Sequence, residues 1–207
     1  SGGLYAGFSD PIAHYAVFKA PNVLKNNQTF GSFIRAAGVD DSAEQGIVCE
    51  AKNYRRPRIN LEPDPKKSFW KDEMVSPFPV KYANAKDRNG IDWQIGYMDE
   101  YCGKERNPPT LVMVHGKGAF GAHYGNVVKY AVERGYRVIV PDMPLAGTSG
   151  PGNLDKPQAR TLDDIRDAFH SLVVGQLGVK KAYYYGHSQG GQVVLGYALR
   201  YPDAVQG

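Results

Sequence analysis

A sheet with parallel core strands and flanking helices, preceded by an irregular N-terminal extension, is the α/β architecture this sequence predicts. Three observations carry it. The chain changes character near residue 107: before it Gly, Pro and Asn break every period, and after it short apolar runs alternate with amphipathic segments. Leu111-Val112-Met113-Val114 is wholly apolar, as a strand buried on both faces of a parallel sheet requires. The last strand candidate also runs through the Gly-bounded turn Gly186-His187-Ser188-Gln189-Gly190 straight into a helix.

Residues 1–80 form the extension and 81–207 the sheet-bearing part. In the extension Gly31-Ser32-Phe33-Ile34 and Gly46-Ile47-Val48-Cys49 read as short strands, and Lys66 to Val75 as a helical turn. Its aromatic and Pro/Gly-rich composition predicts irregular packing across the core or a pocket mouth instead of a separate domain. Asn84 to Tyr101 reads as a hairpin, because Asn89-Gly90 is a strong turn signal and Ile91, Trp93, Ile95 and Tyr97 alternate behind it. The strand at Leu111–Val114 leads through a Gly-rich loop to a helix with Tyr124, Val127, Val128, Ala131 and Val132 on one face, closed by Gly135. Tyr136 to Val140 is the next strand, and Pro141 to Pro157 a Pro/Gly-rich loop. Thr161 caps a second helix with Asp164 as capping-box partner, and Leu162, Ile165, Phe169, Leu172 and Val173 make its inward stripe. Gly178 ends that helix, Lys181 to Tyr185 is a strand, and Gly191 to Arg200 the last helix, stopped by Tyr201-Pro202. The order strand, helix, strand, helix, strand, helix predicts right-handed crossovers.

Composition excludes several function classes. Hydrophobic residues make up 42% and charged residues 22%, the balance of an ordinary globular domain, and the net charge of +4 is small. The densest basic stretch, Lys52 to Lys67, is broken by Pro57, Pro63, Pro65, Glu62 and Asp64, so it reads as a solvated loop and no nucleic-acid partner is expected. No run approaches the roughly 18 apolar residues of a membrane helix, so no membrane span is expected. The N-terminus shows neither an initiator Met nor the pattern of a signal peptide, so processing there is expected. Cys49 and Cys102 form no metal or redox spacing; they are either paired or both free.

The chemistry sits in Gly186-His187-Ser188-Gln189-Gly190. A serine hydroxyl is a poor nucleophile unless it is exposed, oriented and deprotonated by a base. A tight strand-to-helix turn does the first two jobs, holding the serine in a strained conformation with glycines on either side so that strand and helix approach closely. The helix start behind it offers free backbone N–H groups to a developing oxyanion. Two loops agree in order and spacing: His115-Gly116-Lys117-Gly118 after the first buried strand, and Asp142 to Ser149 after the second.

With these motifs, the segment from about Ile91 to Gly207 resembles the α/β-hydrolase superfamily, in the branch shared by esterases, epoxide hydrolases, dehalogenases and carbon–carbon bond hydrolases. Tyr124 stands nine positions after His115, where that family usually has Trp. Asp142, Pro144, Gly147 and Ser149 match its second loop, with Leu145 where Gly is usual. The elbow matches in full, and Ser188 in place of Asp argues against epoxide-hydrolase and dehalogenase chemistry. The resemblance implies that Ser188 is the nucleophile. The backbone N–H groups of Gln189 and Lys117 would form the oxyanion hole, with Gly118 as a substitute for the second donor and as a pocket residue. It puts His123 near the pocket mouth, His115 in support of its loop, His187 beneath the elbow, and Asp142 as organiser of its own loop. No cofactor and no metal is implied.

After Ser188 the sequence carries no histidine and one carboxylate, Asp203, in an ordinary turn setting. The family's order of nucleophile, acid, histidine therefore predicts that both missing groups come from a complementary C-terminal polypeptide or segment, and that the strand ending at Tyr185 is left as an open edge. The expected function is a serine hydrolase of the esterase/lipase-like kind, cleaving an ester or related acyl bond of a small molecule through an acyl-serine intermediate, inactive as this chain alone. Acyl transfer, carbon–carbon bond hydrolysis and a non-catalytic binding protein on the same fold are the alternatives.

Overall fold

The computed structural model describes residues 46–60, 62–151 and 161–207. The short strand expected at 31–34 lies outside them. Eight strands and three α-helices are formed there: β1 (Arg58–Ile59), β2 (Met74–Val75), β3 (Val80–Lys86), β4 (Asp92–Glu100), β5 (Thr110–Val114), α1 (Gly125–Glu133), β6 (Arg137–Pro141), β7 (Gly150–Pro151), α2 (Leu162–His170), β8 (Tyr183–Gly186) and α3 (Gln189–Arg200). The main sheet runs β3-β4-β6-β5-β8, with β7 paired to β4.

Only its inner part is parallel. β5 pairs parallel with both β6 and β8, whereas β3, β4 and β7 are joined antiparallel. Alternation along β5 shows why Leu111 to Val114 are apolar throughout. Val112 and Val114 join one core with Trp93, Ile95, Ile139, Phe169 and Tyr197, beneath α2 and α3. Leu111 and Met113 face the opposite core with Val128, Val132, Val138 and Val140, beneath α1. A strand sandwiched in this way has no wet side, so no polar residue recurs.

The helix signals act where the sequence places them. Thr161 and Asp164 form the reciprocal capping box of α2, and its stripe continues through a wider turn at Ser171–Gln176 that buries Leu172 and Val173. Gly135 and Gly178, at φ of 86° and 68°, turn the chain after the helical segments, a conformation that a side chain resists.

Four expectations need correction. The hairpin begins at Val80, not Asn84, and its turn spans residues 87–91. Asp87 controls that turn: one carboxylate oxygen accepts from the N–H groups of Asn89 and Ile91, the other from the indole of Trp93. Gly46 to Cys49 forms no strand; it is fastened instead by the Cys49–Cys102 disulfide and by the Val48 N–H donating to Glu133 O. Lys66 to Val75 is helical only over Phe69–Glu73 and then becomes β2. The edge of β8 is not bare, because Tyr184 N–H donates to Gly207 O and Gln206 N–H to Ala182 O, starting a parallel partner. Within the extension, Ala51 and Phe78 are buried in the core beneath α1.

Candidate active site

Ser188 stands at the carboxyl end of β8, between the strand and α3, with φ 56° and ψ −121°. Few non-glycine residues adopt this region, and such strain persists only where the surroundings over-determine it. The surroundings here are glycines. A Cβ on Gly186 would lie 2.3 Å from Gly190 O, and one on Gly190 would lie 2.2 Å from Val114 O. Both positions are closed to any side chain, so strand and helix cross at backbone contact. The crossing leaves Ser188 exposed, with no side-chain hydrogen bond to the helix start.

Behind it, the Gly190 N–H donates to His187 O and the Gly191 N–H to Ser188 O. The N–H of Gln189, first residue of α3, meets no acceptor among the described residues. An orphan donor at a helix N-terminus is where a developing negative charge is best received.

The loop after β5 lies against the elbow. A Cβ on Gly116 would come within 3.0 Å of Ser188 Cβ and 3.4 Å of the His187 Nδ1, so this glycine lets the loop touch the serine. His187 is half-buried beside Gly116. Lys117 and Gly118 follow, both exposed, with Gly118 at φ 71°. His115 is buried and fully committed: Met143 N–H donates to its Nε2 at 2.9 Å, which leaves the proton on Nδ1 for Gly116 O at 2.9 Å. Burial holds this imidazole below its ordinary pKa against the pull of Asp142. A neutral ring with both nitrogens engaged ties its loop to the loop after β6.

Asp142 ties the two loops together. Its carboxylate accepts from Gly121 N–H, Thr148 N–H and Thr148 Oγ, at 2.6, 2.7 and 2.7 Å. Its carbonyl accepts from Ser149 Oγ, which in turn accepts from Gly96 N–H. Leu145, where the resembled loop has Gly, is held at φ 64° and is exposed. Tyr124 sends its hydroxyl to Val114 O at 3.1 Å, beneath the loop.

His123 and His170 make their contacts with residues other than Ser188. His123 Nδ1 meets Phe120 N and O, and its ring lies 4.1 Å from that of Phe120. His170 ends α2, with Nδ1 2.9 Å from Tyr197 Oη and its ring stacked on Tyr201 at 3.8 Å. No hydrogen bond joins an imidazole to Ser188 Oγ among the described residues. Asp203 is exposed in the turn after α3. Among the described residues no group of His, Cys, Asp and Glu has the makings of a metal site, and no helix is long and apolar enough to cross a membrane.

Sequence reasoning missed one set of neighbours. Trp70, from the helical turn before β2, packs edge-on to Phe120 at 4.7 Å. Nothing periodic marks Trp70 in the sequence, and the adjacent aromatics Phe69-Trp70 were the only available signal.

Comparison with known proteins agrees with the fold. Residues 109–207 match the family model of the α/β hydrolase fold. The chain is 34% identical over 133 residues to a 2-hydroxy-6-oxononadienedioate/2-hydroxy-6-oxononatrienedioate hydrolase of Paraburkholderia phymatum, covering 60% of this chain and 41% of that protein. It is 33% identical over 139 residues to a 2-hydroxy-6-oxo-6-phenylhexa-2,4-dienoate hydrolase of Burkholderia cepacia, covering 63% and 44%. A solved "probable hydrolytic enzyme" of Pseudomonas aeruginosa superposes with a TM-score of 0.54 at 28% identity, covering 63% of this chain and 40% of that one. The chain thus spans well under half the length of the relatives it matches. By their fold, their elbow and these likenesses, residues 109–207 carry part of the α/β-hydrolase fold.

Proposed function

We propose that the protein is a hydrolase in which Ser188 Oγ attacks a carbonyl carbon, cleaving an ester or related acyl bond through an acyl-serine intermediate. The observation that carries this reading is the strained, exposed Ser188 beside the unpaired N–H of Gln189. On attack, the serine proton passes to a base and the carbonyl oxygen becomes an oxyanion. The N–H groups of Gln189 and Lys117 receive it, with Gly118 beside them. Collapse expels the leaving group, which takes the proton, and water releases the acyl group by the same steps in reverse order.

Base and acid are assigned to sequence outside this chain, whether a separate C-terminal polypeptide or the remainder of a longer one. What supports this is the engagement of His115, His123 and His170 elsewhere. His123 belongs to the pocket mouth in this reading.

A second reading is favoured by the relatives, whose names describe hydrolases of 2-hydroxy-6-oxo dienoates. The acyl bond would then be that of a ketone, and the leaving group a stabilised carbanion in place of an alkoxide. The same serine and oxyanion donors serve both, so the two readings differ in substrate and not in nucleophile. Steady-state kinetics of the complete protein on p-nitrophenyl acetate and on 2-hydroxy-6-oxo-6-phenylhexa-2,4-dienoate separates them. Ser188→Ala should lower turnover of the preferred substrate by at least ~10⁴-fold. Undiminished turnover in that variant ends both readings.

A further inference from the structure

We infer that the segment before the sheet builds one wall of the substrate site, where Trp70 and Phe120 receive the apolar, ring-bearing part of the molecule attacked by Ser188. The inference rests on the reading of Ser188 as nucleophile and adds to it a binding contact from outside the part of the chain that matches the family.

Placement is the first argument. Phe120 precedes Gly121, whose N–H is held by Asp142 at the carboxyl end of β6. Ser188 follows the carboxyl end of β8, and β5 alone lies between the two strands. Neighbouring strands stand about 4.8 Å apart, so Asp142, which holds Gly121 next to Phe120, stands roughly 10 Å from the serine's strand along the same end of the sheet, with Trp70 beyond Phe120. A phenyl ring carried a few carbons from a carbonyl spans that gap.

The second argument is rigidity. Trp70 sits in a turn whose start is capped both ways: Lys71 N–H donates to Ser68 Oγ, and Ser68 N–H to Asp72 Oδ2. Lys71 Nζ reaches across to Gln94 Oε1 on β4 and lies over the Tyr82 ring on β3. β2 then fixes the turn against β1. Phe120 is fastened from the other side by its N–H to His123 Nδ1. Two rings held by independent anchors form a preformed surface, which loses little entropy on binding.

Exposure is the third. Phe69, Trp70, Phe120 and His123 are each only partly buried, although they touch in a continuous row. Ring pairs of this kind gain contact energy from edge-to-face geometry beyond burial alone, and a third ring added to the row gains it again. Trp93, by contrast, is fully buried and has no such capacity.

The test compares two fluorophosphonates on the complete protein, one bearing a methyl group and one a 6-phenylhexyl chain. The ratio of their labelling rates at Ser188 should favour the phenylhexyl probe. Trp70→Ala should cut that ratio roughly tenfold, and Trp70→Phe should restore most of it, because a ring is kept. An unchanged ratio, or equal loss for both probes, overturns the proposal by reducing Trp70 to a packing role. Calorimetric binding of 6-phenylhexanoate to Ser188→Ala decides the same point without needing a reactive serine. Affinity that falls roughly tenfold on adding Trp70→Ala supports the wall, and unaltered affinity removes it. Failure of every probe to label wild-type Ser188, with 6-phenylhexanoate still bound through Trp70, would instead strike the nucleophile reading alone.

Discussion

Ser188 is forced into its backbone conformation by what its neighbours lack. A side chain at Gly190 would strike the carbonyl oxygens of Val114 and His115 at 2.2 and 2.6 Å, and neither can retreat without breaking β5. Gly190→Ala should therefore destabilise the protein by at least ~2 kcal/mol, read from denaturant midpoints, and lose most of its activity. Leu145 presents the opposite case. It occupies φ 64° with a side chain that is 56% exposed, so it suffers the strain and gains little burial in return. Leu145→Gly should stabilise the protein by on the order of 1 kcal/mol, read as a higher melting temperature, and a fall would show that the leucine packs usefully. Two histidines set a pH dependence. Burial depresses both His115 and His170, the latter against Asp167 and with Arg200 adding to the effect. The unfolded chain then takes up protons first, near pH 6.5, while the folded rings stay neutral. Stability from these sites is fully present above that pH and falls as pH drops through it toward the lower folded values. Urea midpoints at pH 7.5 and 5.5 should show the decline, and His170→Gln should reduce it.

Elements were legible in the sequence where a single physical cause determines them. The apolar run of β5 needs burial on both faces, the Thr161–Asp164 pair needs a helix start, and Gly186 and Gly190 need a close crossing; each is found in that role. Legibility failed where the determinant is remote. Asn89-Gly90 lies in the hairpin's turn as expected, but the turn is five residues long and is fastened by the Asp87 side chain, which nothing periodic marks. Gly46 to Cys49 looks strand-like by composition but has no partner strand; the bond from Cys49 to Cys102 holds it, and pairing cannot be read from two spaced cysteines. Trp70 escaped notice because its contact with Phe120 lies across the fold. The disulfide closes a loop with a sequence separation of 53, and loop-closure entropy gives it up to about 4 kcal/mol of stabilisation. Reduction should lower the denaturant midpoint accordingly, and Cys49→Ser with Cys102→Ser should reproduce the shift. A midpoint indifferent to reductant would mean that the 46–50 segment contributes nothing to the core.

At the scale of the described molecule, the candidate site lies at the carboxyl end of the parallel strands, as open α/β sheets generally arrange their sites. β5 leads into the loop that meets the serine, β6 into Asp142, and β8 into Ser188 itself, so three adjacent strand ends supply the site. The antiparallel strands β3 and β4 widen the sheet beyond β6, and Lys71, next to Trp70, donates to Gln94 on β4. What the sequence left open at this scale is the base: His115 and His123 are engaged within their loops and His170 is stacked on Tyr201. The claim on which the account turns is that Ser188 is the nucleophile. A fluorophosphonate incubated with the complete protein, followed by proteolysis and mass spectrometry, tests it directly. The account predicts one adduct, on the peptide containing Gly186-His187-Ser188-Gln189-Gly190, formed in step with loss of turnover; an adduct on another residue, or full turnover with Ser188 labelled, would contradict it.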